Sequence, residues 1–269
     1  MDINMDTIKK LREQSGAGII DCKAALLEAN GDLNVALEIL RKKGIAKAGK
    51  RADHAANQGV IKAWVDPEQQ WGCLLELRTE TDFVARNDKF QQLAEDILEA
   101  AVNNKVQDLG SLLALTIHGQ IIQEVVENWS GVMGEKIVLS NYATLSSQGT
   151  VASYLHGGGT IGVLVAINKP SASELAKDLA MQIAATNPKY LTPEEIPASE
   201  IEKEKEIYRE QLKQEGKPAE IIDKIIENKL SHYFTEVCLV KQEFIKDEQQ
   251  TIEKLLAGAI IEGYYRFQL

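Results

Sequence analysis

One strand–strand–helix pattern occurs twice in this chain, and that repeat limits the available folds more than any other feature. In the first copy, Gly59–Val65 reads as a strand, and Gly72–Thr79 alternates with Cys73, Leu75 and Leu77 on one side and Glu76 and Arg78 on the other. Phe90, Leu93, Ala94, Ile97, Leu98 and Ala101 then recur at helical spacing. In the second copy, Gly149–Leu155 and Ile161–Asn168 are the strands, and Leu175, Leu179, Ile183 and Ala184 mark the helix. Each copy closes on a further strand, Lys136–Leu145 in the first and Tyr264–Gln268 in the second. Two such units predict an α+β protein with two related antiparallel-sheet/helix core subdomains, residues 56–145 and 146–269.

Three short helices precede the core. Ile8 and Leu11 lie on the first, and Cys22, Ala25, Leu26 and Ala29 face one way on the second. Asp32 is the expected N-cap of the third, which carries Val35, Ala36, Ile39 and Leu40 and is expected to stop at Gly44. The basic, Ala-rich stretch Ile45–Gln58 lacks clean periodicity and reads as a helical or flexible linker, so residues 1–55 form a three-helix head with its linker. Residues 199–233 are densely charged with a thin apolar stripe, and Gly216-Lys217-Pro218 interrupts them. They are expected to form a helical hairpin inserted in the second subdomain.

Charge argues for a protein partner. The net charge is −10, which opposes broad nucleic-acid binding, since that needs a cationic surface. Residues 1–55 are mildly basic and the rest acidic, a distribution suited to protein contact. No apolar run reaches the length of a membrane span and Met1–Lys10 lacks a signal-peptide core. Cys22, Cys73 and Cys238 are odd in number and widely spaced, which points to reduced thiols and a cytoplasmic setting.

Enzymatic motifs fail on context. Gly157–Gly162 is a literal G-x-G-x-x-G, but a strand follows it where a dinucleotide site needs a helix N-terminus, so a hairpin turn is expected. There is no phosphate-loop, C-x-x-C, H-E-x-x-H or G-x-S-x-G sequence. His156, at the same hairpin, is either a turn residue or a partner contact.

The connection Glu80–Asp88, Glu-Thr-Asp-Phe-Val-Ala-Arg-Asn-Asp, joins strand to helix in the first copy. Asp82 and Phe83 read in two ways. A carboxylate beside a large ring at a rigid corner suits a probe pushed into another protein. Alternatively Asp82 caps a turn and Phe83 staples the next helix to the core, and the local pattern alone favours this second reading.

Several segments, in order along the chain, resemble the bacterial translation elongation factor Ts family. They are Leu11–Leu26, Ala29–Asp32, Leu40–Gly44, Glu80–Asn87, His156-Gly157 with Ile161–Val165, Gly216–Pro218 and Glu236–Asp247. The resemblance implies a ubiquitin-associated-like head, two related core subdomains and an inserted hairpin. It implies a guanine-nucleotide exchange factor that binds elongation factor Tu and promotes GDP release by disturbing its Mg²⁺ and phosphate site. By that resemblance Thr81, Asp82, Phe83 and Val84 form the Mg²⁺-dislocating segment, with Phe83 entering an apolar cleft. Lys23, Lys50 and Arg51 belong to the head's contact surface and His156 to the core's. No catalytic residue, cofactor, metal, small-molecule substrate, membrane or direct nucleic-acid contact is expected.

The chain departs from the family pattern in three places. Arg78-Thr79 stands where Asn-Cys or Asn-Ser is usual, which leaves the loop intact. Thr160 stands where a basic residue is common, so a secondary contact there is not carried over. The sequence ends at Tyr265–Leu269, where some members carry a further helix, and any grip from that helix is expected to be absent. The alternative is a non-exchanging adaptor whose helical head binds a ubiquitin-like or ribosomal partner; it leaves the duplicated core and the Asp82-Phe83 loop unexplained.

Overall fold

The structure is a computed structural model describing residues 4–15, 17–49, 51 and 53–269. It is an α+β chain of helices and antiparallel sheets.

Helices α1 (Met5–Ser15), α2 (Ile19–Glu28) and α3 (Leu33–Gly49) bury Ile8, Leu11, Cys22, Ala25, Leu26, Ala36 and Leu40 against one another. The Asp32 carboxylate caps α3, accepting the N–H groups of Asn34 and Val35 at 2.8 and 3.1 Å. The expected stop at Gly44 is wrong: α3 continues to Gly49.

Strands β1 (Gln58–Val65) and β2 (Trp71–Thr79) pair from Gln58↔Thr79 to Val65↔Gly72. A single helical turn, α4 (Asp82–Ala85), leads into α5 (Asp88–Asn103). Next come α6 (Leu109–Ala114), a small hairpin of β3 (Thr116–Ile117) and β4 (Gln120–Ile121), and α7 (Ile122–Met133). Strand β5 (Ile137–Ser146) then pairs with β2, giving the order β1-β2-β5.

The second sheet uses β6 (Thr150–His156), β7 (Ile161–Ile167) and, after a long excursion, the last strand of the chain. The excursion holds α8 (Ser173–Thr186), the hairpin α9 (Ala198–Gln214) and α10 (Ala219–Val237), short strands β8 (Glu243–Phe244) and β9 (Asp247–Thr251), and α11 (Ile252–Leu256). Strand β10 (Ile261–Gln268) pairs with β7, so this sheet runs β6-β7-β10.

The two sheets lie face to face with helices outside. Val60, Cys73, Leu75, Leu77 and Leu139 meet α5, α6 and α7. Val163, Val165 and Ile167 meet α8 and α11. Between the sheets, Ile61 and Leu74 pack on Val151, Leu164 and Ala166. Strand β2 is therefore covered on both faces, and its alternation does not separate core from water. The approach is close at Gly162, where an added Cβ would lie 2.4 Å from Ile61 Cγ2 and 2.9 Å from Leu74 Cδ1.

Gly44 has a packing role where a helix stop was expected. Helix α3 crosses α7, and a Cβ on Gly131 would lie 2.3 Å from Gly44 Cα. Two glycines let the backbones touch, and Arg41 pairs with Glu124 across the same seam. The hairpin α9–α10 packs on itself through Leu212, Ile222, Ile226 and Leu230.

Candidate functional site

Strand β2 ends at Thr79, and the next residues are tied down from both sides of the turn. Thr81 caps α4: its hydroxyl accepts the Val84 N–H at 3.4 Å, from an extended backbone. Asn87 caps α5, accepting the Lys89 N–H at 2.9 Å. Gln91 reaches back and donates to the Ala85 carbonyl at 2.7 Å. Ala85 is buried, and Val84 packs on the first core cluster.

Phe83 does not follow its neighbours inward. It is 85% exposed, so it staples nothing. Asp82 is not the cap either; it occupies the first position of α4 and pairs with Arg86 one turn on, at 3.1 Å. A short helical turn places successive side chains about 100° apart, so anchoring Val84 and Ala85 leaves Phe83 pointing away. The exposed ring thus sits on a backbone fixed by two caps and a buried flank.

The turn is also clasped from a distant segment. Glu135, just past the left-handed Gly134 that ends α7, accepts from Thr79 Oγ1 at 2.9 Å, Thr81 N at 2.9 Å and Thr81 Oγ1 at 2.6 Å. Glu80 answers in the opposite direction, accepting the Lys136 N–H at 2.6 Å. Its carboxyl is held below the ordinary range, first by that N–H and then by His54 and Arg51. The His54 ring nitrogen lies 3.0 Å from Glu80 Oε1.

Arg51 adjoins this group through its carbonyl, which accepts the His54 N–H at 2.9 Å. Lys50 lies outside the described residues. Lys23 is exposed on α2. His156 is exposed at the end of β6, its Nδ1 3.1 Å from the Tyr154 hydroxyl. The hairpin turn after it uses positive φ at Gly157, Gly158 and Gly159, and β7 follows, so the glycine run makes a turn and meets no helix.

A chain of contacts joins this hairpin to the loop. Gly159 O accepts from Ile61 N at 2.8 Å, and Thr160 O from Leu269 N at 3.1 Å. Gln268 O accepts from Arg78, next to the loop, at 2.8 Å. His156 and the Asp82-Phe83 turn thus share one end of the stacked sheets. Glu135 and His54 could not be found from sequence, because neither sits in a motif and Glu135 is 54 residues from Thr81.

A cavity of about 460 Å³ opens elsewhere, at the seam of α3 and α7, bordered by Ser15, Leu37, Arg41, Gln120, Asn128 and Trp129. Residues 79–84 do not border it. Among the described residues, no group of three His, Cys, Asp or Glu side chains is placed to hold a metal, and no helix is long and apolar enough to cross a membrane.

Residues 80–269 match the family model described as elongation factor TS. The chain is 43% identical over 276 residues to the elongation factor Ts of Hydrogenobaculum sp., covering 100% of this chain and 99% of that relative. It is 40% identical over 277 residues to that of Halothermothrix orenii, covering 100% and 93%. Against that of Aquifex aeolicus it is 41% identical over 285 residues, covering 100% and 98%. A match that spans the whole chain at this identity leaves one conclusion: the protein belongs to the elongation factor Ts family.

Proposed function

We propose that this chain promotes GDP release from elongation factor Tu by inserting the ring of Phe83 beside the partner's Mg²⁺ and phosphate site. As a member of its family it is a guanine-nucleotide exchange factor in translation elongation. The observation that supports the inserted ring is Phe83 itself, 85% exposed on a turn whose flanks are fixed. Full burial of a phenylalanine supplies roughly 1.5–3 kcal/mol, enough to offset a local distortion in the partner. Bound Mg²⁺ neutralises phosphate charge, so shifting its supports loosens the nucleotide.

Thr81, Asp82, Phe83 and Val84 form the inserted segment. Arg51 and His156 lie at the same end of the sheets and form the flanking contacts, with Lys23 and Lys50 completing the head's share. The chain acts through residues 1–55 as a ubiquitin-associated-like head with its linker, and residues 56–145 and 146–269 as two related subdomains, the second carrying the helical hairpin. The shared strand–strand–helix–strand order of the two sheets supports that division. It works in the cytoplasm, as a binding protein with no cofactor, membrane or direct nucleic-acid contact.

Exchange of this kind is reciprocal. If the factor weakens nucleotide binding, nucleotide weakens factor binding by the same ratio. The test is release of labelled GDP from elongation factor Tu with Mg²⁺, chased by excess unlabelled GDP. Catalytic amounts of this chain should speed release, and added GDP should dissociate the complex of the two proteins. An unchanged release rate at saturating chain would sink the proposal and return the helical adaptor reading.

A further inference from the structure

The carboxylate of Glu135 accepts three hydrogen bonds, two of them from Thr81, the residue that opens the exposed turn. We propose that Glu135 is a positioning residue for exchange: it holds the Asp82-Phe83 turn in its inserting conformation before any partner arrives. This rests on the reading of Thr81–Val84 as the exchange segment and deepens it.

Three features support the role. First, the bonds are directed at the base of the turn. Thr81 N and Thr81 Oγ1 meet different oxygens of one carboxylate, which fixes both the peptide and the side-chain rotamer of Thr81. That rotamer places the hydroxyl to cap α4 through Val84. Second, Glu135 is itself held. Gly134 ends α7 in the left-handed conformation, and the Ser130 hydroxyl donates to the Glu135 carbonyl at 2.7 Å. Third, the clasp is returned by Glu80, which accepts the Lys136 N–H. Two adjacent residues on each side thus bind across the gap, and the turn has little freedom to swing.

The energetic reason is preorganisation. A ring carried on a mobile turn must be brought into place at the moment it inserts, and that ordering opposes the insertion step. Here the backbone that carries the ring is already held in the free protein. Loss of the clasp should leave the contact surface present but the ring misplaced, so the maximal rate should fall more than the affinity.

The experiment uses the full chain as Glu135→Ala and Glu135→Gln, with Phe83→Ala as a reference for a lost ring. Catalysed GDP release from elongation factor Tu is measured against factor concentration, well below the melting temperature. Amide hydrogen exchange at Thr81 is followed in the free protein. Glu135→Ala should lower the saturating rate about fivefold to tenfold, change the half-saturating concentration less than about twofold, and speed Thr81 amide exchange. Glu135→Gln should stay within about twofold of wild type, because its amide oxygen accepts the Thr81 N–H and the Thr81 hydroxyl can turn to accept from its NH₂. A merely structural role would lower melting temperature and the active fraction but leave the saturating rate per folded molecule unchanged. Three results overturn the proposal: Glu135→Ala at wild-type saturating rate, a loss confined to the half-saturating concentration, or Glu135→Gln as impaired as Glu135→Ala. Wild-type chain that fails to speed release defeats the exchange reading itself, and is thereby distinguished from failure of the positioning role alone.

Discussion

Truncating Phe83 to alanine separates a probe from a core residue by comparing two quantities in one variant. A core phenylalanine leaves a cavity when truncated and costs about 3–5 kcal/mol of stability. Phe83 is 85% exposed, so the fold uses only the remaining fraction of its surface. With roughly 1.5–3 kcal/mol for complete burial, that fraction is worth less than about 0.5 kcal/mol. Alanine also has the better helix propensity within α4, which offsets part of this. A chain of this size loses about 2–4 °C per kcal/mol, so the melting temperature should fall by less than about 2 °C. On the proposed insertion, the exposed 85% of the ring becomes buried in the complex. Losing it raises the exchange barrier by about 1.3–2.6 kcal/mol, which slows exchange about tenfold to eightyfold. The assay pairs thermal melting with catalysed GDP release on the same preparation. A melting temperature lower by 5 °C or more, with exchange per folded molecule at the wild-type rate, would refute the reasoning at both ends.

Two further outcomes follow from the geometry. Gly131→Ala places a Cβ 2.3 Å from Gly44 Cα, a backbone atom that cannot turn aside, so overpacking should cost about 1–3 kcal/mol; were α3 and α7 not in contact there, alanine would instead stabilise α7 by up to about 1 kcal/mol, and the sign of the melting shift decides. The Glu200 carboxyl, at the base of the α9–α10 hairpin, is pushed down to about 2 by hydrogen bonds from Lys189, Tyr233 and Tyr190. A depressed carboxyl contributes stability above its ordinary value of 4.5 and loses it as pH falls toward 2, so a carboxyl titration by NMR should show its midpoint near the lower value, and a midpoint near 4.5 would show that the cluster does not form.

Local pattern determined the elements of this protein and the contents of its loop. Alternation in Gly72–Thr79, helical spacing from Phe90 to Ala101 and the glycine turn before Ile161 each follow from the residues themselves, because backbone period and steric freedom act over a few neighbours. The second strand–strand–helix copy was legible for the same reason, and matched segments spread along the chain carried the family. What the sequence could not decide was which neighbours would come from far away. Gly44 read as a helix stop because glycine usually is one; only the approach of Gly131, from a segment remote in sequence, gives it a packing role inside α3. Strand β2 read as two-faced because alternation normally means one wet side, yet the second sheet covers that side. Phe83 shows the limit most clearly. Locally, an aromatic beside a candidate capping carboxylate is more often a staple, and the outcome depended on Val84 and Ala85 taking the core positions while Glu135, 54 residues from Thr81, clasped the turn. Periodicity is a property of adjacent residues and is written in the chain; the direction in which an exposed ring points is set by contacts between distant segments, and those exist only once the chain has folded.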